Sequence, residues 1–168
     1  MAWPAKGVAN LLLDLADTAN ARIDPLAIQK LVYFSEGWHL ALLGESIVQE
    51  QFEAWRRGPV VPILYHSLKY YGARPIRSRL MEYDFLSDRP VEAARPSAIS
   101  SVDLVREVWQ VYRRYSPGQL VALTHEFGSP WEVTWRKAQG APDARIDKAL
   151  IRDWFTAQAD RSQGRNLI

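Results

Sequence analysis

His39, His66 and His125 are the residues on which acid–base or metal chemistry would have to rest, because this 168-residue chain contains no cysteine. Without cysteine there is no thiol nucleophile, no thiolate for zinc or an iron–sulfur cluster, and no disulfide scaffold. The histidines stand far apart, and none forms a His-x-x-x-His or His-x-x-Glu-His pair, so their spacing defines no metal site. Asp14 with Asp17 and Asp143 with Asp147 are carboxylate pairs at i, i+3 and i, i+4. In polar surroundings such pairs mark the solvated face of a helix. Glu36 and His39 share a helical face at i, i+3 and read as a structural hydrogen-bonding pair. No Gly-x-Ser-x-Gly elbow, P-loop lysine motif or Gly-x-Gly-x-x-Gly turn occurs. The sequence thus argues against an enzyme and predicts no catalytic residue, cofactor or metal.

Aromatic residues beside basic ones carry more information. Seven Trp, seven Tyr and five Phe are present. Several of them border arginines, in Trp55-Arg56-Arg57, Tyr70-Tyr71-Gly72-Ala73-Arg74 and Tyr112-Arg113-Arg114-Tyr115. Trp, Tyr and Arg dominate the hot spots of protein–protein interfaces. The same types line grooves for single-stranded nucleic acid, by stacking and charge. Trp38, Trp109 and Trp154 fall on apolar stripes and are expected to fill the core. The expected partner-binding edge is Arg56, Arg57, Tyr70, Tyr71, Arg74 and Arg77, with the 73–100 segment beside it. A nucleic-acid regulator using the basic stretch 69–79 is the competing reading. It ranks second, since no RNA-binding signature such as the aromatic motif of an RRM is present.

Net charge is only +2, from 21 Lys+Arg and 19 Asp+Glu, but its distribution is uneven. Residues 1–56 carry four basic and seven acidic groups (4 − 7 = −3), residues 57–100 seven and four (+3), and the remainder ten and eight (+2). Such asymmetry suits a polar partner surface. No run of about 18 apolar residues exists, so no membrane-spanning helix is expected. The start lacks the basic-then-apolar-then-small pattern of a secretory signal. A cytoplasmic protein is the expectation.

The elements that would position these groups are mostly helices. Val8, Leu11, Leu12 and Leu15 predict a helix over about 5–19. Asp24-Pro25 reads as an N-cap followed by proline at the first helical position, and Gly44 as a left-handed stop. Ile28, Leu31, Val32, Ser35, Trp38 and Leu42 fall on one stripe between them. Ser116-Pro117-Gly118-Gln119 and Ser129-Pro130-Trp131-Glu132 are further starts of capping-box form, with Gly128 and Gly140 as stops. Helices are also expected near 62–71, near 101–115, and around Ile146 to Phe155. Ser46–Gln49 and Phe52–Arg56 predict one short hairpin, closed by Gly58-Pro59. Residues 73–100, with three prolines and five arginines, lack helical periodicity and read as a long functional loop. The expected fold is mainly α, six to seven short helices with one small β-hairpin, in a single domain over 1–162 with a flexible tail at 163–168.

Three blocks of sequence are more specific. Ile28-Gln29-Lys30-Leu31-Val32-Tyr33-Phe34-Ser35-Glu36-Gly37-Trp38-His39-Leu40-Ala41 resembles the LQKLLYFAQGWHLA block of the Panacea domain, a phage-associated family also called SocA-like or GepA-like. Phe52-Glu53-Ala54-Trp55-Arg56-Arg57-Gly58-Pro59-Val60-Val61-Pro62 resembles its EAW-x-x-GPVVP segment, followed by Tyr65-His66 and Tyr70-Tyr71-Gly72. Leu104 to Tyr112, Leu123-Thr124-His125 and Gly128-Ser129-Pro130-Trp131 are similar to its C-terminal half. Physically the blocks are architectural. Gly37 is expected where a neighbouring backbone comes close, and Gly58 at a turn stiffened by Pro59 and Pro62.

This resemblance implies an antitoxin of bacterial or prophage origin that neutralises a toxin by direct contact, toxic small alarmone synthetases among the family's targets. The cognate toxin would be encoded by the adjacent gene. A SocA-like alternative is a proteolytic adaptor that delivers the toxin to the ClpXP protease. The family supplies no established catalytic residues. Some relatives append a DNA-binding domain; none is recognised in this sequence, which argues against control of its own promoter.

Overall fold

Helix α2, Pro25–Leu43, is the axis of the molecule: thirteen of its nineteen residues are buried, so it is enclosed on nearly every side. The computed structural model describes residues 1–165. Asp24 accepts a hydrogen bond from the Ala27 N–H at 2.8 Å and Pro25 occupies the first turn, as the sequence predicts. Gly44 ends the helix at φ 76°. Around α2 pack α1 (Ala5–Thr18), α3 (Pro62–Leu68), α4 (Ile99–Tyr112), α5 (Pro117–Thr124) and α7 (Lys148–Arg165). Helix α6 (Pro130–Lys137) packs on α7 and on the first strand. The seven helices and two short hairpins of these described residues confirm the mainly helical class. Among the described residues no helix is long and apolar enough to cross a membrane. Of the expected tail at 163–168, residues 166–168 lie outside the described residues, and α7 continues through Arg165.

Caps explain the helix starts. Ser116 and Gln119 form the complete capping box on α5. Ser129 caps α6 through the Glu132 N–H, but the Glu132 carboxylate accepts from the Gly128 N–H instead of closing the box. Gly128 and Gly140 have φ of 81° and 76°, yet α5 ends at Thr124 and α6 at Lys137. Those glycines therefore turn the connecting chain and do not stop the helices themselves.

The first hairpin is displaced from its expected place. Strands β1 (Glu53–Trp55) and β2 (Gly58–Val60) pair antiparallel with Trp55 opposite Gly58, so Arg56-Arg57 form the turn and Gly58-Pro59 open the second strand. Gly58 adopts φ 105°, which L side chains avoid. Ser46–Gln49 lies elsewhere, bridging to Trp3 in parallel through Trp3 N–H to Ile47 C=O and Gln49 N–H to Trp3 C=O.

A second hairpin, β3 (Met81–Asp84) with β4 (Arg89–Glu92), lies inside the segment expected to be a loop. Its strands have no fully buried face, which is why no alternating pattern announces them. Polar groups of α1 hold its base. The buried Asn10 amide donates to the Leu80 and Ala93 carbonyls at 3.0 and 3.3 Å, while its oxygen accepts from the Leu80 N–H at 2.8 Å. Asp14 takes both Arg79 and Arg95, and Arg79 also reaches Asp17. The Asp14–Asp17 pair is thus an arginine clamp and not a solvated face.

Partial burial opposes ionisation of Asp14, but the Arg95 and Arg79 guanidiniums outweigh it and hold the carboxyl below its ordinary value. A carboxyl depressed in the folded state stabilises fully above about pH 4 and loses that contribution as the pH falls through its folded value. Asp14→Asn is therefore expected to cost about 1 kcal/mol at pH 7, the figure kept small by solvent screening at this part-exposed position. At pH 3 the deficit should shrink towards zero. Urea unfolding at the two pH values measures it, and equal deficits would refute the clamp.

Candidate functional site

Two adjacent polar residues of α2 mark the candidate site. Gln29 and Lys30 are buried, where a helix stripe would normally carry apolar groups. Gln29 grips the peptide after β2, donating to the Val61 carbonyl at 3.2 Å and accepting from its N–H at 3.0 Å. Lys30 donates to the Pro59 carbonyl at 2.8 Å. The β1–β2 hairpin is therefore stitched to α2 by side chains, and its turn, Arg56-Arg57, is held at the edge of a cavity.

That cavity has a volume of about 480 Å³. Leu26, Val60, Leu64 and Leu68 give it apolar walls, with Trp55 and Tyr65 in an edge-to-face pair at 4.9 Å. Its charged lining is Lys30, Arg56, Arg57 and Lys69, all cationic. Among the described residues Lys30 has no carboxylate partner. Burial, reinforced by the Arg57 charge, pushes its pKa down to about 7. A Cβ placed on Gly58 would lie 2.7 Å from Thr124 Oγ1 and 3.2 Å from Lys30 Nζ, so the absent side chain is what lets the hairpin close over the amine. His125 stands beyond, stacked on Trp131 at 3.7 Å with Nε2 buried and unpartnered. Burial and the Lys30 charge both push His125 below its ordinary pKa.

The expected partner-binding residues divide around this cavity. Arg56 and Arg57 line it. Tyr70 and Tyr71 stack at 4.7 Å on the short 3-10 turn Lys69–Tyr71, whose first residue and following Gly72 complete the rim. Arg74, which is exposed, folds back on that turn, donating to the Tyr70 and Tyr71 carbonyls at 2.7 and 3.0 Å. Arg77 stands apart, in a smaller groove with Asp17, Asn20 and Arg22. Arginines 74 and 79 of the basic stretch 69–79 are therefore engaged within the chain, which weakens the nucleic-acid reading.

Sequence reasoning missed Lys30, because a lysine within a helical block gives no sign that it is enclosed. Its only local signal is position, between Gln29 and Leu31 on a helix otherwise rich in apolar residues.

The histidines do not converge. His39 is buried, with Nδ1 donating to the Glu45 carbonyl at 2.6 Å and Nε2 bonded to Ser101 Oγ at 2.9 Å. His66 is exposed on α3 beside Tyr65. Glu36, expected to pair with His39, instead accepts from the Ile47 and Val48 N–H groups at 2.9 Å each, from the Ser46 hydroxyl, and from Lys148 at 3.1 Å. Among the described residues no three His, Asp or Glu side chains are placed to hold a metal ion.

Comparison with known proteins gives a consistent result. The family described as "Antitoxin SocA-like, Panacea domain" matches residues 28–132, which take in most of α2, both hairpins and the cavity lining except Pro25 and Leu26. The chain is 38% identical over 129 residues to "Antitoxin SocA" of Caulobacter vibrioides (strain NA1000 / CB15N), covering 77% of this chain and 69% of that protein. No solved structure matches.

Proposed function

Because the chain belongs to the antitoxin SocA-like Panacea family, we propose that it is the antitoxin of a toxin–antitoxin pair and neutralises its toxin by binding it directly in the cytoplasm. The observation that carries this reading is the 38% identity to Antitoxin SocA across most of both chains. A surface suited to the task supports it, with the exposed turn Arg56-Arg57 and exposed Lys69 and Tyr70 around an apolar cavity. Sequestration breaks no bond. It requires only a complementary patch, about 800 Å² on each partner in a standard interface. Cationic groups around an aromatic centre supply both steering and anchors.

Co-expression with the product of the adjacent gene tests the proposal. The chain should restore growth to cells expressing that toxin and should copurify with it. Failure of both rejects the reading. The adaptor alternative is separated by toxin half-life in cells with and without ClpX, since only an adaptor shortens it in a ClpX-dependent way.

Charge reversal at the turn, Arg56→Glu with Arg57→Glu, is expected to weaken toxin binding at least ten-fold, about 1.4 kcal/mol or more. Folding should be unaffected, because both side chains are exposed. Calorimetric titration of purified toxin reads the effect, and an unchanged affinity moves the interface elsewhere.

A further inference from the structure

The 480 Å³ cavity is chemically one-sided. Every charged residue lining it is cationic, and the enclosed one, Lys30, has among the described residues a single acceptor, the Pro59 carbonyl. Among the described residues no carboxylate stands against that ammonium, so its charge is uncompensated. A buried ammonium in that state is unfavourable: it gives up its proton more readily, its pKa lowered to about 7, and gains from an anion placed nearby. The walls bear on which anion. Leu26, Val60, Leu64, Leu68, Trp55 and Tyr65 suit an apolar or aromatic side chain. Phosphate would seek helix N-terminal N–H groups. Here the helix end at the cavity begins with Pro25, which has none, and its Ala27 N–H is taken by Asp24.

We infer that this cavity binds an acidic peptide segment of the toxin, an aspartate or glutamate beside an apolar side chain, with the carboxylate held by Arg57 and Arg56 over the enclosed Lys30 amine and the apolar group between Trp55, Tyr65 and Leu64. The inference rests on the proposed function and adds to it the chemistry of the bound segment.

Protonation follows from the geometry. In the unoccupied cavity burial and Arg57 hold Lys30 near its midpoint at neutral pH, titrating at about 7. A carboxylate favours the charged amine, so binding takes up a proton above pH 7 and weakens as the pH rises. The other groups facing Lys30 are Arg57 and Arg56 of the hairpin turn, Lys69 after α3, and His125 after α5. The arginines keep their charge throughout.

The test uses the full chain, ¹⁵N-labelled, and two probes, N-acetyl-Asp-Phe-amide and N-acetyl-Asn-Phe-amide. At pH 6 the aspartyl peptide should shift amides of residues 55–69 with at least ten-fold higher affinity than the asparaginyl peptide. At pH 9 that preference should fall several-fold. Lys30→Met should reduce the preference at pH 6 several-fold; it removes an enclosed charge and keeps the aliphatic bulk, against the loss of the hydrogen bond to the Pro59 carbonyl. If that variant does not fold, the two peptides at two pH values decide with the parent chain alone. Equal binding of both peptides, binding of neither, or an unchanged preference in Lys30→Met overturns the inference. So does stronger binding at these amides by inorganic phosphate or by a thymidine hexanucleotide, the latter marking a nucleic-acid groove. Growth rescue distinguishes the two levels. Rescue without peptide discrimination removes this inference alone, whereas discrimination without rescue or copurification removes the proposed toxin.

Discussion

Glu36→Ala is expected to destabilise the protein by about 4 kcal/mol, in the range found when one partner of an enclosed ion pair is removed. The carboxylate is fully buried and collects the Ile47 and Val48 N–H groups, the Ser46 hydroxyl and the Lys148 ammonium. Alanine leaves these donors without an acceptor and opens a void beneath the 46–48 segment. Lys148→Met should cost less, about 1–2 kcal/mol, because Glu36 keeps three donors and Lys148 is itself partly exposed. Urea unfolding of the two variants measures the contrast. If Lys148→Met proves as damaging as Glu36→Ala, the backbone N–H groups are not what Glu36 serves.

The second large effect concerns contact distance. A Cβ on Gly7 would fall 1.8 Å from the Ala94 carbonyl oxygen, and one on Gly37 would fall 2.2 Å from the Phe155 ring. Backbone cannot turn aside as a side chain can, so Gly7→Ala must separate α1 from the chain that leaves β4. A cost of about 3 kcal/mol is expected, the upper part of the range for overpacking. In a chain of this size that lowers Tm by about 6–12 °C. Gly37→Ala meets a ring, but an enclosed one, set among Tyr33, Phe34 and Trp38. About 2 kcal/mol is expected there. Thermal unfolding checks both, and a shift below about 2 °C for Gly7→Ala would show that the two segments part easily.

Gly37 also marks how far the sequence could be read. Its role as a point of close approach was legible, but the neighbour is the Phe155 ring and not a backbone. Helix starts were legible because a cap is written within four residues, as at Asp24-Pro25 and Ser116 to Gln119. The β3–β4 hairpin was not. Its strands lack a buried face, and its holders Asn10 and Asp14 lie some seventy residues away in sequence, although Asp14 itself looked like a solvated carboxylate. The β1–β2 turn was misplaced for a related reason. Arg56-Arg57 carries none of the Asn-Gly or Asp-Gly chemistry by which two-residue turns are recognised. Of the candidate site, the rim at Arg56 and Arg57 could be anticipated from the aromatic-basic clustering. The enclosed floor at Lys30 could not, since enclosure is made by the hairpin folding over it. Arg74, expected on the same edge, is exposed and also bonds to the carbonyls of its own turn, a contact its sequence neighbours do not announce.

The arginine clamp on Asp14 has one further consequence. Between Arg74 and the start of α4 only Ile76, Leu80, Ala93 and Pro96 are buried, so this stretch is attached mainly by the amide of Asn10 and by ion pairs on one side of α1. Such an attachment can be undone locally, leaving the α2 bundle intact, and makes the excursion a separate cooperative unit in the stability hierarchy of the molecule. A protease encountering the native protein would find its cleavage sites there first.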